Sequence, residues 1–483
     1  MSTEIKRDSM DATAPDLSTK LRETKLSDGN SQKPKVGFTD LPPSVRKNIY
    51  KHVLDTELVN LGKDNVSYTH SIKDGVLHFK ASRPPFPVET ALFYTTKQIS
   101  TEALQYFYSQ NLFIRFTFHS PDARHSKTML SDSGLLFSTA SPSKISECTQ
   151  HALDLTLVEK NSTQTRASVI FPAQYLPRLI NFLDQASRTT ASWAPSHSIF
   201  ATLLNTYNFA IARLQGDLLE LFRQLTNLGK VEIDGEALLP GYAAGLQQAM
   251  LSASFDPEAW LASLESMTVA ADQARENKEW ELGVQHSQAV IIAMTYGFLT
   301  RAETLHSHSQ ATSDEFAKRV QRLRWRNELG IGKALFKKWQ GITEGGSAWL
   351  TDASSSLPVE KKRAVAKEML EAETRSSYAL SLVTDSPNPA SNPWVQSLPV
   401  ETVPLNKAEW FTDEERGLTW YACGIAHLVL GEPLFAAGDL ERATRLRPGG
   451  KNFEDAFMRA RESIDWEVRP GTGMDRAGMI ARG

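Results

Sequence analysis

The chain has 483 residues, 41% of them hydrophobic and 23% charged, the balance of a soluble globular protein too long for one ordinary core. Lys+Arg 53 against Asp+Glu 56 give a formal charge of −3, which argues against a dedicated nucleic-acid binder and against a binder of anionic membranes. Two cysteines, Cys148 and Cys423, exclude a disulfide framework and a cysteine-rich zinc module.

The start, MSTEIKRDSM, is charged where a secretion signal needs an apolar core, so an intracellular chain is expected. Residues 1–36 hold no aromatic side chain and are rich in Ser, Thr, Asp and Lys, a composition expected to stay disordered. Folded sequence begins at Phe38. Thr39 or Asp40 can cap a helix whose apolar positions Leu41, Val45, Ile49 and Val53 recur every four residues. Val66–Ile72 and Val76–Lys80 flank Lys73-Asp74-Gly75, a hairpin signal. After a proline-rich loop at Arg83–Pro87, Ala91–Tyr108 reads as a helix and Leu112–Phe118 as a strand, and residues 119–147 read as loop.

His151–Glu159 alternates as a strand, Val169–Phe171 makes another, and Leu176–Ala186 is helical. Phe200–Leu225 reads as one long helix before a short strand at Lys230–Ile233. Leu221–Ile233 resembles one leucine-rich-repeat turn, although any helix–loop–strand with leucines gives the same string; it supports a mixed βα layer over 148–238. Beyond residue 240 the pattern is a succession of amphipathic helices: 241–252, 257–274, 279–304, 312–339, 358–383, 413–430, 433–446 and 452–466. Gly341–Pro358 and Thr384–Lys407 read as linkers, and residues 467–483 as a flexible, glycine-rich tail. Neither long apolar stretch suits a membrane: Ala289–Leu299 is too short, and Tyr421–Gly438 contains His427, Glu432 and Pro433.

Phe38–Leu54, FTDLPPSVRKNIYKHVL, followed by Lys97-Gln98-Ile99, Glu102-Ala103-Leu104 and the Tyr108-Ser109-Gln110-Asn111 turn, resembles the F-box-like domain of fungal proteins over about residues 37–118. A proline in the first helical turn costs no hydrogen bond, and leaves the Leu-Pro corner free to project. The resemblance implies docking on a Skp-type adaptor of a cullin–RING ubiquitin ligase through Leu41, Pro42, Val45, Ile49 and Tyr50. The alternative is that Val45, Ile49 and Val53 are simply the buried stripe of an amphipathic helix. The chain departs from a compact F-box by its hairpin and proline-rich loop, and by Phe93-Tyr94-Thr95-Thr96 where a polar-Arg or Cys-Arg pair is usual.

Trp420, Gly424, Ala436, Leu440, Ala443 and Pro448 fall at the packing positions of a tetratricopeptide unit, and resemble one. Fainter copies lie at Ala271, Gly283 and Ser287, and at Ala372 and Ala379 followed by Pro387. The resemblance implies a helical-repeat domain over 241–466 with a concave, protein-binding surface, or else a mere structural extension. The fold expected is therefore α+β and mostly α, a small F-box-like and βα part followed by helical repeats.

No constellation for catalysis, metal or cofactor is found. Gly341–Ser347 has Ser347 where a phosphate loop needs lysine, Gly330-Ile-Gly332 sits inside a helical pattern, and His306-Ser-His308 lacks further ligands. Residues 317–340 hold eight Lys or Arg and one acidic residue, Glu328, with Trp325, Phe336 and Trp339 interleaved. Such a stretch grips an acidic peptide, nucleic acid or anionic lipid, or it is a solvated face whose long stems cover apolar surface. The functional expectation is a non-enzymatic adaptor: a substrate receptor of a ubiquitin ligase with an unknown protein client, or a scaffold that keeps the F-box-like fold without binding the ligase.

Overall fold

The computed structural model describes residues 37–206, 209–235, 238–351, 357–384 and 407–482. The tail expected over 1–36 and nearly all of the proline-rich linker, Pro387 included, lie outside them. The described chain is mostly helical with a small sheet region, the α+β class expected.

Residues 37–40 form a short 3-10 turn closed by Asp40, whose carboxylate accepts from the Gly37 N–H (2.7 Å), so the first long helix, α1 (Pro43–Leu54), is entered from Pro42 instead. Strands β1 (Tyr68–Lys73) and β2 (Val76–Ala81) pair antiparallel through a two-residue turn with Asp74 at φ 51 and Gly75 at φ 78. Positive φ at both central residues matches the right-handed strand twist, which is why Asp-Gly stands there. The helix expected at Ala91–Tyr108 is broken. A 3-10 segment, Thr90–Tyr94, ends at Thr95, and α2 (Lys97–Gln110) restarts with the Thr96 hydroxyl accepting from the Ile99 N–H.

A five-stranded sheet follows, built from β3 (Phe113–His119), β4 (Leu153–Glu159), β5 (Thr165–Pro172), β6 (His197–Leu203) and β7 (Lys230–Asp234) in the order β5-β3-β4-β6-β7. Pairs β3–β4 and β6–β7 are parallel, and β3–β5 and β4–β6 antiparallel. Ile114, Phe116 and Phe118 alternate inward with Leu153, Leu155 and Leu157, giving one apolar and one more polar face. Between them, α3 (Ala123–Asp132) occupies residues expected to be loop, its first turn capped by Asp122. The sheet's apolar face is covered partly by α4 (Leu176–Thr189), whose Leu176, Leu179, Ile180 and Leu183 are buried.

The long helix expected at Phe200–Leu225 is a misreading. Its first part is strand β6, seated between β4 and β7, and α5 (Ile211–Leu219) begins only later. Ile199, Ala201 and Leu203 alternate inward, and that pairing with two distant strands overrides the local helical pattern.

Helices α6 (Tyr242–Leu251), α7 (Pro257–Glu276), α8 (Trp280–Ala311), α9 (Glu315–Thr343), α10 (Val359–Val383), α11 (Asp413–Val429), α12 (Pro433–Leu446) and α13 (Lys451–Glu462) follow close to their expected bounds. The mixed layer and the helical half are not separate bodies: one apolar core runs from Leu77 through the sheet to Trp260, Met294 and Val320. The expected tail is a further correction. Its residues form α14 (Thr472–Arg482), packed on α10 with Ala477 fully buried. The Glu432 carboxylate accepts from the N–H groups of Gly471, Gly473 and Met474 at 2.7, 2.7 and 3.1 Å, a helix cap supplied from a distant loop.

Candidate functional site

At the N-terminal corner the five expected docking residues divide. Pro42 and Val45 are exposed, Leu41 and Ile49 half-buried, and Tyr50 is only 3% exposed. Tyr50 faces inward, against Phe38 and Tyr106, and its hydroxyl donates to Glu102 (3.2 Å). Burial and the neighbouring Glu102 push its phenol up to about 12. As a surface contact it is thus withdrawn, because this small helical unit has its own core of Tyr50, Leu54, Ala103 and Tyr106.

The residue that shapes the corner was missed. Arg46 makes a two-pronged pair with Glu102 (2.8 and 2.9 Å) and donates backwards to the carbonyls of Leu41 (2.5 Å) and Thr39 (3.2 Å). The guanidinium therefore ties the Leu-Pro corner to α2, and by hydrogen bonding it holds the Glu102 carboxyl below the usual range. A basic residue four positions after Pro42 was visible in the sequence, but its partner is 56 residues away.

The Tyr-Ser-x-Asn turn closes the unit from the other side. Asn111, buried, accepts from the Thr56 N–H and hydroxyl (2.9 and 2.8 Å) and donates to the Leu54 and Phe107 carbonyls (3.0 and 2.7 Å). Gln174, at the foot of α4, donates to the same Thr56 hydroxyl (2.8 Å), which joins this unit to the sheet layer.

In the helical half α7, α9, α11 and α13 touch in sequence, while α8, α10 and α12 pack between and behind them. Three of the pairs cross at a glycine. A Cβ on Gly283 would stand 3.3 Å from the Ala271 carbonyl oxygen, on Gly332 3.3 Å from that of Ala372, and on Gly424 3.3 Å from that of Ala436. Gly424, Ala436, Leu440 and Ala443 are all buried at their crossing, as packing requires. Trp420 is only half-buried, a platform under the Arg442 guanidinium (4.8 Å), and Pro448 stands exposed just beyond α12. Gly332 escaped counting because the connection between α9 and α10 is long: its partner Ala372 lies 40 residues on, where the other two spacings are 12.

The row α7, α9, α11 and α13 bounds a groove in two stretches. The first, of about 680 Å³, is lined by Asp272, Arg275, Arg326, Gly330 and Lys333 among others; the second, of about 550 Å³, by Lys333, Phe336, Tyr421, Ile425 and Phe453. Most of the basic stretch in α9 is neutralised by ion pairs. Lys318 pairs with Glu315, Arg319 with Glu258 and Glu265, Arg322 with Glu415, Arg324 with Glu328, Arg326 with Asp272, and Lys338 with Glu368. Among the described residues Lys333 has no carboxylate partner and Lys337 bonds only to Gln340 (3.1 Å). Lys333 faces solvent at the groove mouth, yet the surrounding protein mass and then Arg275 hold its ammonium below the ordinary lysine range.

Behind the groove His427 lies between Asp439 (2.8 Å) and Glu373 (3.7 Å), joining α10, α11 and α12. Burial disfavours its charge, but the two carboxylates outweigh that and raise it to about 9. Near the sheet, Ser120 donates to Glu159 (2.6 Å), and His125 meets the same oxygen (2.8 Å) without reaching the serine; this ties β4 to the start of α3. Among the described residues no group of three His, Cys, Asp or Glu could hold a metal, and no helix is long and apolar enough to cross a membrane. No family model matches the chain, and neither a curated protein nor a solved structure matches it.

Proposed function

We propose that the chain is a non-enzymatic, intracellular adaptor that docks a Skp-type subunit of a ubiquitin ligase through its F-box-like corner and recruits a protein client through a helical-repeat groove. The observation that carries the reading is the Leu41-Pro42 corner, with Pro42 and Val45 exposed and the Thr39 and Leu41 carbonyls held by Arg46. Three helix crossings built on Gly283, Gly332 and Gly424 support the repeat half of it. Co-purification with a Skp-type adaptor tests the ligase link. The native chain is expected to bind, and Leu41→Ala/Pro42→Ala or Val45→Asp to release the adaptor while leaving thermal unfolding of the chain unchanged. Absence of binding by the native chain removes the ligase role.

A second reading, a scaffold that retains the F-box-like fold without the ligase, is favoured by the inward position of Tyr50. It predicts no adaptor binding and a client that binds the groove alone.

A further inference from the structure

We propose that the groove over α7, α9, α11 and α13 receives a client segment that is acidic at one end and apolar at the other. The acidic end lies over Arg326 and Lys333, the apolar end over Phe336, Tyr421 and Ile425. This deepens the client-binding reading above and rests on it.

Charge complementarity within the first stretch carries the argument. Arg275 and Arg326 share one carboxylate, Asp272, and Lys333 beside them has none among the described residues. Three cations against one anion, on a concave wall of low polarisability, focus a positive potential at one place. A carboxylate arriving there neutralises charge that the described residues leave unmatched. A basic or neutral side chain does not.

Part of that site is already positioned. The Arg275 stem passes Gly283 of α8, its guanidinium donates to the Ser287 hydroxyl (2.9 Å), and it lies against Gly330 of α9, where a Cβ would be 2.8 Å from its Cζ. A cation already held in place costs little ordering entropy when an anion binds.

Lys333 also lines the second stretch, so the two adjoin at that residue. Beyond it the wall gains apolar and aromatic surface, Phe336 from α9, Tyr421 and Ile425 from α11, and Phe453 of α13 stacked on Tyr421 at 4.4 Å, set among Lys337, Arg447 and Arg459. Glu265 and Glu415 also line the first stretch, each paired there with an arginine, Arg319 and Arg322, so its unmatched positive charge is confined to the neighbourhood of Lys333 and suits a short acidic segment better than an unbroken phosphate backbone.

The test uses the full chain and a fluorescent synthetic peptide with glutamates at one end and leucine and phenylalanine at the other. Controls are the same peptide with lysines for the glutamates and one with serines for the apolar residues. Anisotropy is expected to show the glutamate–apolar peptide binding tightest, with affinity falling as salt rises. Lys333→Glu is expected to weaken it roughly tenfold or more, and Tyr421→Ala to weaken it independently of salt. Since Lys333 faces solvent, its variant should fold, which circular dichroism checks. Equal binding of the glutamate and lysine peptides, no binding of either, or indifference to Lys333→Glu overturns the charge assignment. A client that co-purifies with the native chain and is lost on Tyr421→Ala but kept on Lys333→Glu overturns it too, while leaving the client reading intact. A glutamate preference with a client indifferent to both variants has the reverse meaning.

Discussion

Arg275 lies flat against Gly330: the space a Cβ would take on that glycine is 2.8 Å from the guanidinium carbon and from Nη1. The glycine sits in the middle of α9, where it costs about 1 kcal/mol relative to alanine. Its use is to let a charged head from α7 rest on the helix surface, beside Asp272 and Ser287. Two residues on, Gly332 faces another way, onto the Ala372 carbonyl and Ser376 of α10. The Gly-Ile-Gly string is thus a double packing device.

The two glycines should therefore respond differently to alanine. At Gly330 only the far end of a flexible arginine must yield, and the gain in helix propensity offsets the disturbance, so Gly330→Ala should leave the melting temperature nearly unchanged. At Gly332 the neighbours are a backbone carbonyl at 3.3 Å and a short serine side chain at 2.8 Å, and Gly332→Ala should cost roughly 1–3 kcal/mol. Thermal unfolding of the two variants side by side decides it; equal loss at both sites contradicts the packing account.

Asn111 fills four hydrogen bonds in a buried turn. Asn111→Ala would leave the Thr56 N–H and hydroxyl and the Leu54 carbonyl without their partner, while the Phe107 carbonyl keeps the backbone N–H of residue 111, and should cost roughly 3 kcal/mol in urea unfolding. Asn111→Asp keeps the acceptor but loses both donated bonds, and should also destabilise. A loss of less than about 1 kcal/mol for the alanine variant would refute the turn's role as the lock between α1, α2 and the sheet layer.

His427 makes stability depend on alkaline pH. Its folded value, about 9, lies above the ordinary 6.5, so its contribution is fully present below about pH 6.5 and is lost as pH rises through about 9. The shift corresponds to roughly 3 kcal/mol at most. Urea midpoints measured from about pH 6 to about pH 10 should fall for the native chain, and His427→Gln should remove that part of the fall. A variant with an unaltered slope sinks the assignment.

Glu432 and Gly473 together dock the C-terminal helix. A Cβ on Gly473 would come within 2.0 Å of the Leu430 carbonyl oxygen, so Gly473→Ala cannot keep the present contact. Glu432→Gln places an amide where the carboxylate now accepts from backbone N–H groups. Hydrogen exchange should show residues 472–482 losing protection in both variants while the sheet keeps its own. Unchanged protection would mean that α14 is held by its apolar face alone.

Much of the helical half was legible because its signals are local. Apolar recurrence marked α6 to α13, and the small residues at Gly424, Ala436 and Ala443 announced a close crossing, since only such residues let backbones approach. The hairpin was legible for the same reason, through Asp74 and Gly75. Where the reading failed, the deciding partner was remote. Strand β6 is a strand because β4 and β7 flank it. The glycine-rich end is a helix because Glu432, some forty residues earlier, caps it.

The same division runs through the candidate sites. Composition, charge pattern and motif spacing by themselves determined the class of fold and the basic run of α9, while Leu41, Pro42 and Val45 were offered as docking residues by a resemblance alone. Only the tertiary structure decided that Tyr50 turns inward, that Arg46 clasps Glu102, and that most of the α9 cations are already paired while, among the described residues, Lys333 and Lys337 have no carboxylate. The reason is physical: periodicity reports which side of an element is apolar, whereas ion pairing and burial depend on what the chain brings back from tens of residues away.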